Sequence, residues 1–107
     1  MPADRTGTDL DAALAGRKVV ALFHATWCPF CRAFAPVFRR LAPSAVGYQP
    51  LEVVLDDDED PLWTRFDVGL VPTVVFFDDG TITARLDGRP GVGIDEPMLL
   101  EALERAR

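Results

Sequence analysis

Two cysteines, one histidine and one lysine are all that 107 residues hold of those three types. A lone pair of cysteines cannot supply the several bridges that hold small secreted domains together. With no second cysteine pair, and His24 as the only histidine, the chain also falls short of the Cys/His sets that build structural zinc sites. Long apolar stretches are missing too: no segment reaches the ~18 residues that read as a membrane span. Residues 1–6 have neither the basic n-region nor the apolar h-region of a signal peptide. Positive charge is scarce, 11 Lys and Arg against 17 Asp and Glu for a net charge of −6. Neither nucleic acid nor an anionic membrane is therefore expected as a partner. These absences point to a cytoplasmic protein, and in a reducing compartment two cysteines read as catalytic or metal-binding rather than as a staple.

What is present suffices for one domain. The length suits a single core, and 49% apolar residues is ordinary for a globular chain. Residues 1–7 show no periodicity and read as a flexible tail ahead of a domain over 8–107. Leu10 and Leu14 predict a helix over 8–15 that stops at Gly16. The apolar run over 18–24 predicts a buried strand. Phe34, Val37, Phe38 and Leu41 share helical spacing and predict a helix from about Cys28 to Ala42, kinked at Pro36 and ended by Pro43. A strand is expected over 51–55, then the solvated acidic run 56–60, then a short helix over 62–66 capped by Asp60 with Pro61 at its first position. Strands over 73–77 and 81–86 form a hairpin about the Asp78-Asp79-Gly80 turn. Asp95 or Glu96 opens a last helix whose apolar face is Leu99, Leu100 and Leu103. Strands joined through a helix should pair in parallel, so the order α, β, α, β, α, β, β, α predicts an α/β fold: a central mixed four-stranded sheet flanked by helices on both faces.

The chemistry concentrates in Trp27-Cys28-Pro29-Phe30-Cys31, at a strand-to-helix junction. Two intervening residues at a helix start bring two sulfurs within reach of a disulfide. Cys28 would sit at the positive end of the helix dipole, which favours the nucleophilic thiolate. Cys31, one turn in, would be more buried and suited to resolving a mixed disulfide. A C-x-x-C beside a β-α-β pattern is a redox motif of the thioredoxin type.

From Lys18 onward the chain resembles the thioredoxin family. It has Trp-Cys-x-x-Cys, the mid-helix Pro36, Phe66-Asp67-Val68 followed by Val71-Pro72-Thr73, Phe77, the Asp79-Gly80 turn and Gly88, with 72 − 31 = 41 positions from Cys31 to Pro72. The resemblance implies the thioredoxin fold and a thiol–disulfide oxidoreductase that reduces protein disulfides through a Cys28/Cys31 cycle, with no cofactor beyond that pair. It implies a cis Val71–Pro72 bond lying against the cysteines, with Val71 backbone groups offered to an incoming peptide. It also implies a partly exposed apolar patch for substrate around Cys28, made by Trp27, Pro29, Phe30, Leu70, Val71 and Gly88. Trp63 reads as packing. The implied partners are client proteins with disulfides and a reductase that recycles the dithiol, and the chain is expected to act as a monomer.

The chain also departs from the family. Leu22 stands where thioredoxins carry a buried Asp, and Val53 replaces the partner lysine. Deprotonation of Cys31 then needs water or another base, and His24, four residues before Cys28, is the candidate proton carrier. Pro29-Phe30 replaces the usual Gly-Pro and is similar to glutaredoxins, so a glutathione-linked oxidoreductase is one alternative. A thioredoxin-like binding or assembly module is the other.

Overall fold

The computed structural model describes residues 7–106. The helix α1 (Gly7–Leu14) leads into β1 (Lys18–His24), followed by α2 (Pro29–Leu41) and a short 3-10 turn (Ala42–Ser44). Then come β2 (Gln49–Val54), α3 (Leu62–Arg65), the hairpin β3 (Thr73–Asp78) and β4 (Thr81–Asp87), and α4 (Glu96–Arg105). The four strands form one sheet in the order β2-β1-β3-β4. β1 pairs parallel with β2 (Ala21 opposite Leu51) and antiparallel with β3 (Ala21 opposite Val75), and β4 pairs antiparallel with β3.

β1 is the centre of both cores. Its side chains point alternately to the two faces. Val19, Ala21 and Phe23 pack with Leu10 and Leu14 of α1 and with Leu62 and Phe66 at α3. Val20 and Leu22 pack with Phe34 and Phe38 of α2 and with Leu99 and Leu103 of α4. Two covered faces explain why β1 reads as a continuous apolar run rather than an alternating one.

Local chemistry sets the boundaries. Cys28 is the N-cap of α2, and Pro29 holds its first position, where a missing N–H costs nothing. The helix runs on past Pro36 to Leu41, and Pro43 is taken up in the 3-10 turn. Gly16 leaves α1 with φ +68, and its N–H donates to Oδ1 of Asp79 at 2.6 Å. The hairpin turn carries positive φ at both Asp79 and Gly80, as tight two-residue turns require. Asp95 caps α4 by accepting from the Met98 N–H at 3.0 Å.

Some expectations need correction. The tail over 1–7 falls mostly on residues outside those described, and Gly7 already begins α1. β2 starts two residues early, and Leu55 leaves it while still donating to the His24 carbonyl at 2.7 Å. Pro61 is the N-cap of α3, while Asp60 Oδ1 accepts the Leu62 N–H at 3.0 Å. β2 and β3, although joined through α3, do not pair. The connection crosses beneath β1, where Phe66 meets Phe23 at 5.6 Å between ring centroids, and delivers β3 antiparallel to the far edge of β1. Leu100 is 45% exposed, because a step of ~100° per residue turns it away from the face shared by Leu99 and Leu103. Among the described residues no helix is long and apolar enough to cross a membrane.

Candidate active site

Beyond His24 the chain turns through Ala25, Thr26 and Trp27 before α2 begins, and that turn is held from outside. Asp56, just past β2, accepts the Thr26 N–H and the Thr26 hydroxyl, each at 2.7 Å. Its carbonyl accepts the Trp27 indole N–H at 3.2 Å, and Arg32 donates to the Thr26 carbonyl at 3.1 Å. The acidic run is thus more than a solvated tract. Its first carboxylate clamps the turn that presents the cysteines, a role with no sequence signal because it needs a partner 30 residues away.

Both cysteines are free thiols and both are buried. Cys28 Sγ lies 3.8 Å from the Val71 carbonyl oxygen, a weak S–H···O contact. Cys31 Sγ accepts the Ala25 N–H at 3.5 Å. Burial pushes the Cys31 thiol up to about 12, against the pull of that N–H, while a hydrogen bond with Cys28 and the charges of Cys28 and Asp56 push the same way as burial. Cys31 is therefore a stored thiol at neutral pH.

The Val71–Pro72 bond is cis, and Pro72 packs against Gly88. A Cβ at Gly88 would stand 2.5 Å from the Pro72 carbonyl oxygen, so only glycine lets β4 come this close. Gly88 is buried and lines a neighbouring hollow together with Gly69 and Leu70, which also line the groove in front of Cys28. That groove, of about 190 Å³, is lined by Trp27, Cys28, Phe30, Leu70 and Val71, and also by Trp63, Gly69, Arg89 and Gly91. Trp27, Phe30 and Leu70 are exposed at 53%, 42% and 38%, a large apolar surface for so small a domain. Val71 is itself buried and offers its carbonyl more than its side chain. Pro29 is exposed and lies outside the groove. Trp63, read as packing, does pack against the core, and its half-buried ring also lines the groove and donates to the Asp57 carbonyl at 2.9 Å. Arg89 and Gly91 were missed because only the fold of the β4–α4 loop brings them here.

His24 is buried on the α2 side of the sheet. Its Nε2 stands 3.2 Å from Glu52 Oε1 without the alignment of a hydrogen bond. Glu52 is also gripped by Arg39 through two bonds of 2.7 Å. Among the described residues no hydrogen bond joins His24 to either cysteine. Burial lowers the His24 pKa, and Arg39 adds to this, while Glu52 and Asp56 oppose it. The Arg39 bonds hold Glu52 below the usual carboxylate range.

Two predictions follow from this geometry. Gly88→Ala should lower stability to urea by about 1–3 kcal/mol and slow exchange with a model disulfide, because the Pro72 carbonyl must move. His24 binds its proton less tightly folded than unfolded, so stability is complete above the ordinary value of 6.5 and falls as the pH drops through and below it. Glu52 adds a further loss below its ordinary value of 4.5. His24→Phe should flatten the upper part of that decline in urea unfolding and leave the pH–rate profile of disulfide exchange unchanged.

The chain is similar to known proteins in sequence and in fold. The thioredoxin family model matches residues 3–94. Thioredoxin-1 of Caenorhabditis elegans is 38% identical over 72 residues, 66% of this chain, and the match spans 62% of that protein's length. A thioredoxin of Staphylococcus aureus is 34% identical over 76 residues, 70% of this chain and 72% of its own. Among solved structures, a thioredoxin of Fasciola hepatica has a TM-score of 0.73 at 29% identity, covering 98% of this chain and 96% of that one. With the family model spanning most of the sequence and a paired thiol at the head of α2, the chain belongs to the thioredoxin family and is a protein-disulfide oxidoreductase.

Proposed function

We propose that this oxidoreductase works in the reducing direction, as a monomer in the cytoplasm, on disulfides of client proteins. One observation carries the reading: Cys28 opens onto an apolar groove, while Cys31 is held behind it as a buried thiol. In the first step the Cys28 thiolate attacks one sulfur of the client disulfide and the other client sulfur leaves as a thiolate. Cys31 then attacks Cys28 Sγ, which closes the Cys28/Cys31 disulfide and frees the second client sulfur. The proton that Cys31 gives up passes to a released client thiolate or to water, since His24 faces Glu52 and bonds to neither cysteine. Two electrons and two protons reach the client in all, and a reductase restores the dithiol with two more electrons.

Trp27, Phe30, Leu70 and the Val71 carbonyl would hold the client segment, with Pro72 fixing that carbonyl beside Cys28. Phe30, half-exposed at the groove, favours one second reading: recycling by glutathione instead of a reductase. The two separate on whether glutathione alone restores the dithiol form. A pure binding module would keep its partner when Cys28 is replaced by Ser.

Two measurements test the proposal. The reduction potential of the pair, from equilibration in dithiol and glutathione buffers, should lie below about −220 mV; a value well above it would make the protein an oxidant or isomerase. Cys31→Ser should stop at the mixed disulfide and accumulate a covalent client adduct by mass spectrometry, whereas Cys28→Ser should form none.

A further inference from the structure

We propose that Arg89 makes this site selective for client segments that carry a carboxylate beside the reacting cysteine. The inference rests on the client-reducing function above.

Arg89 is held in place at the start of the β4–α4 loop. Its N–H donates to the Gly93 carbonyl at 3.1 Å, and its own carbonyl accepts from Gly93 at 2.8 Å and from Val92 at 3.0 Å. Positive φ at Gly91 and Gly93 allows this small bridged loop. The loop is also pressed onto the site: a Cβ at Gly93 would come within 3.0 Å of Phe30 Cβ, next to the cysteines on α2. The backbone of Arg89 is thereby fixed at the wall of the groove that holds Cys28.

The side chain is unspent. Arg39, Arg40, Arg65, Arg85 and Arg105 hold carboxylates, and Arg32 holds the Thr26 carbonyl. Among the described arginines only Arg17 and Arg89 have no side-chain partner, and Arg17 lies at the far end of β1. Asp87, the acidic residue nearest in sequence to Arg89, is taken by Arg85 at 2.8 Å. Trp27 and Trp63, which line the same groove, donate their indole N–H groups to the backbone carbonyls of Asp56 and Asp57, so neither ring offers a competing cation. A carboxylate in the groove therefore meets one cation, Arg89, and no acidic residue among the lining side chains, which favours an acidic segment. Arg89 is exposed, so the pair it makes is partly screened by water and salt.

The groove is an open one of about 190 Å³, small against the ~300–1,000 Å³ of sites that enclose a whole small molecule, and it accommodates a side chain of a docked segment. The occupant proposed is a client protein whose acidic residue faces Arg89.

The test uses short disulfide-linked peptides that differ only in Asp, Asn or Lys next to the cysteine. Each rate of reduction by the dithiol protein is divided by the rate of the same peptide with dithiothreitol, which removes differences in intrinsic reactivity. The wild type should favour Asp over Asn by roughly two- to fivefold, the range of an exposed charge pair, and the preference should shrink with added salt. Arg89→Gln should bring the ratio to about one, Arg89→Glu should turn the preference toward Lys, and Arg17→Gln should keep the wild-type ratio. Ratios within one variant do not depend on how much of it is folded. A wild-type ratio of one, or a preference that survives Arg89→Gln, overturns the inference while leaving the function standing. An Arg89-dependent preference confined to glutathione disulfide also overturns it. Absence of any Cys28-dependent reduction overturns the function itself, and this inference with it.

Discussion

Every residue of β1 after Lys18 is buried, because helices cover both of its faces and strands flank both of its edges. A strand enclosed in this way cannot slip in register without moving its whole apolar set, so its end is fixed to within a residue. Its end is where the chemistry begins. Ala25 follows, its N–H aimed at Cys31 Sγ, and three residues after Ala25 the N-cap of α2 is Cys28. The second thiol sits one turn into a helix that packs on the same sheet through Phe34 and Phe38. The positions of both sulfurs thus follow from the burial of a strand that holds neither of them.

The surroundings treat the two sulfurs differently. Cys31 is buried and hydrogen-bonded so that its proton is hard to remove, whereas Cys28 opens onto a groove. A pair with these unlike environments is arranged for sequential work: one sulfur meets the substrate and the other waits. Asp56 joins the two halves of this arrangement. Its carboxylate clamps the turn before Cys28, and its charge opposes ionisation of Cys31. Leu22 stands where the family's buried carboxylate would be, and the carboxylate whose charge acts on Cys31 is that of Asp56.

His24, Glu52 and Arg39 form a separate polar cluster at the β2 edge. A buried imidazole beside a carboxylate that is already doubly bonded by a guanidinium is costly to protonate, so the cluster favours the neutral ring. It sets the end of β1 beside β2, whose Glu52 is bonded in turn to Arg39 of α2.

Much of the fold was legible in the sequence because it rests on local rules. The apolar run of β1, the helical spacing of Phe34 and Phe38, the Asp79-Gly80 turn and the cap at Asp95 each act within a few residues. Cys28 and Cys31 were legible for the same reason, since a spacing of two residues at a helix start is itself the chemical statement. Tertiary structure alone decided that β3 would join the far edge of β1, that Gly88 would pack directly on the Pro72 carbonyl, and that Trp63, Asp56 and Arg89 would belong to the site. Each of these depends on a partner distant in the chain, as with Thr26 and Asp56. Local preference and periodicity specify an element; which elements meet is set by the burial that their meeting achieves, and that is a property of the whole chain.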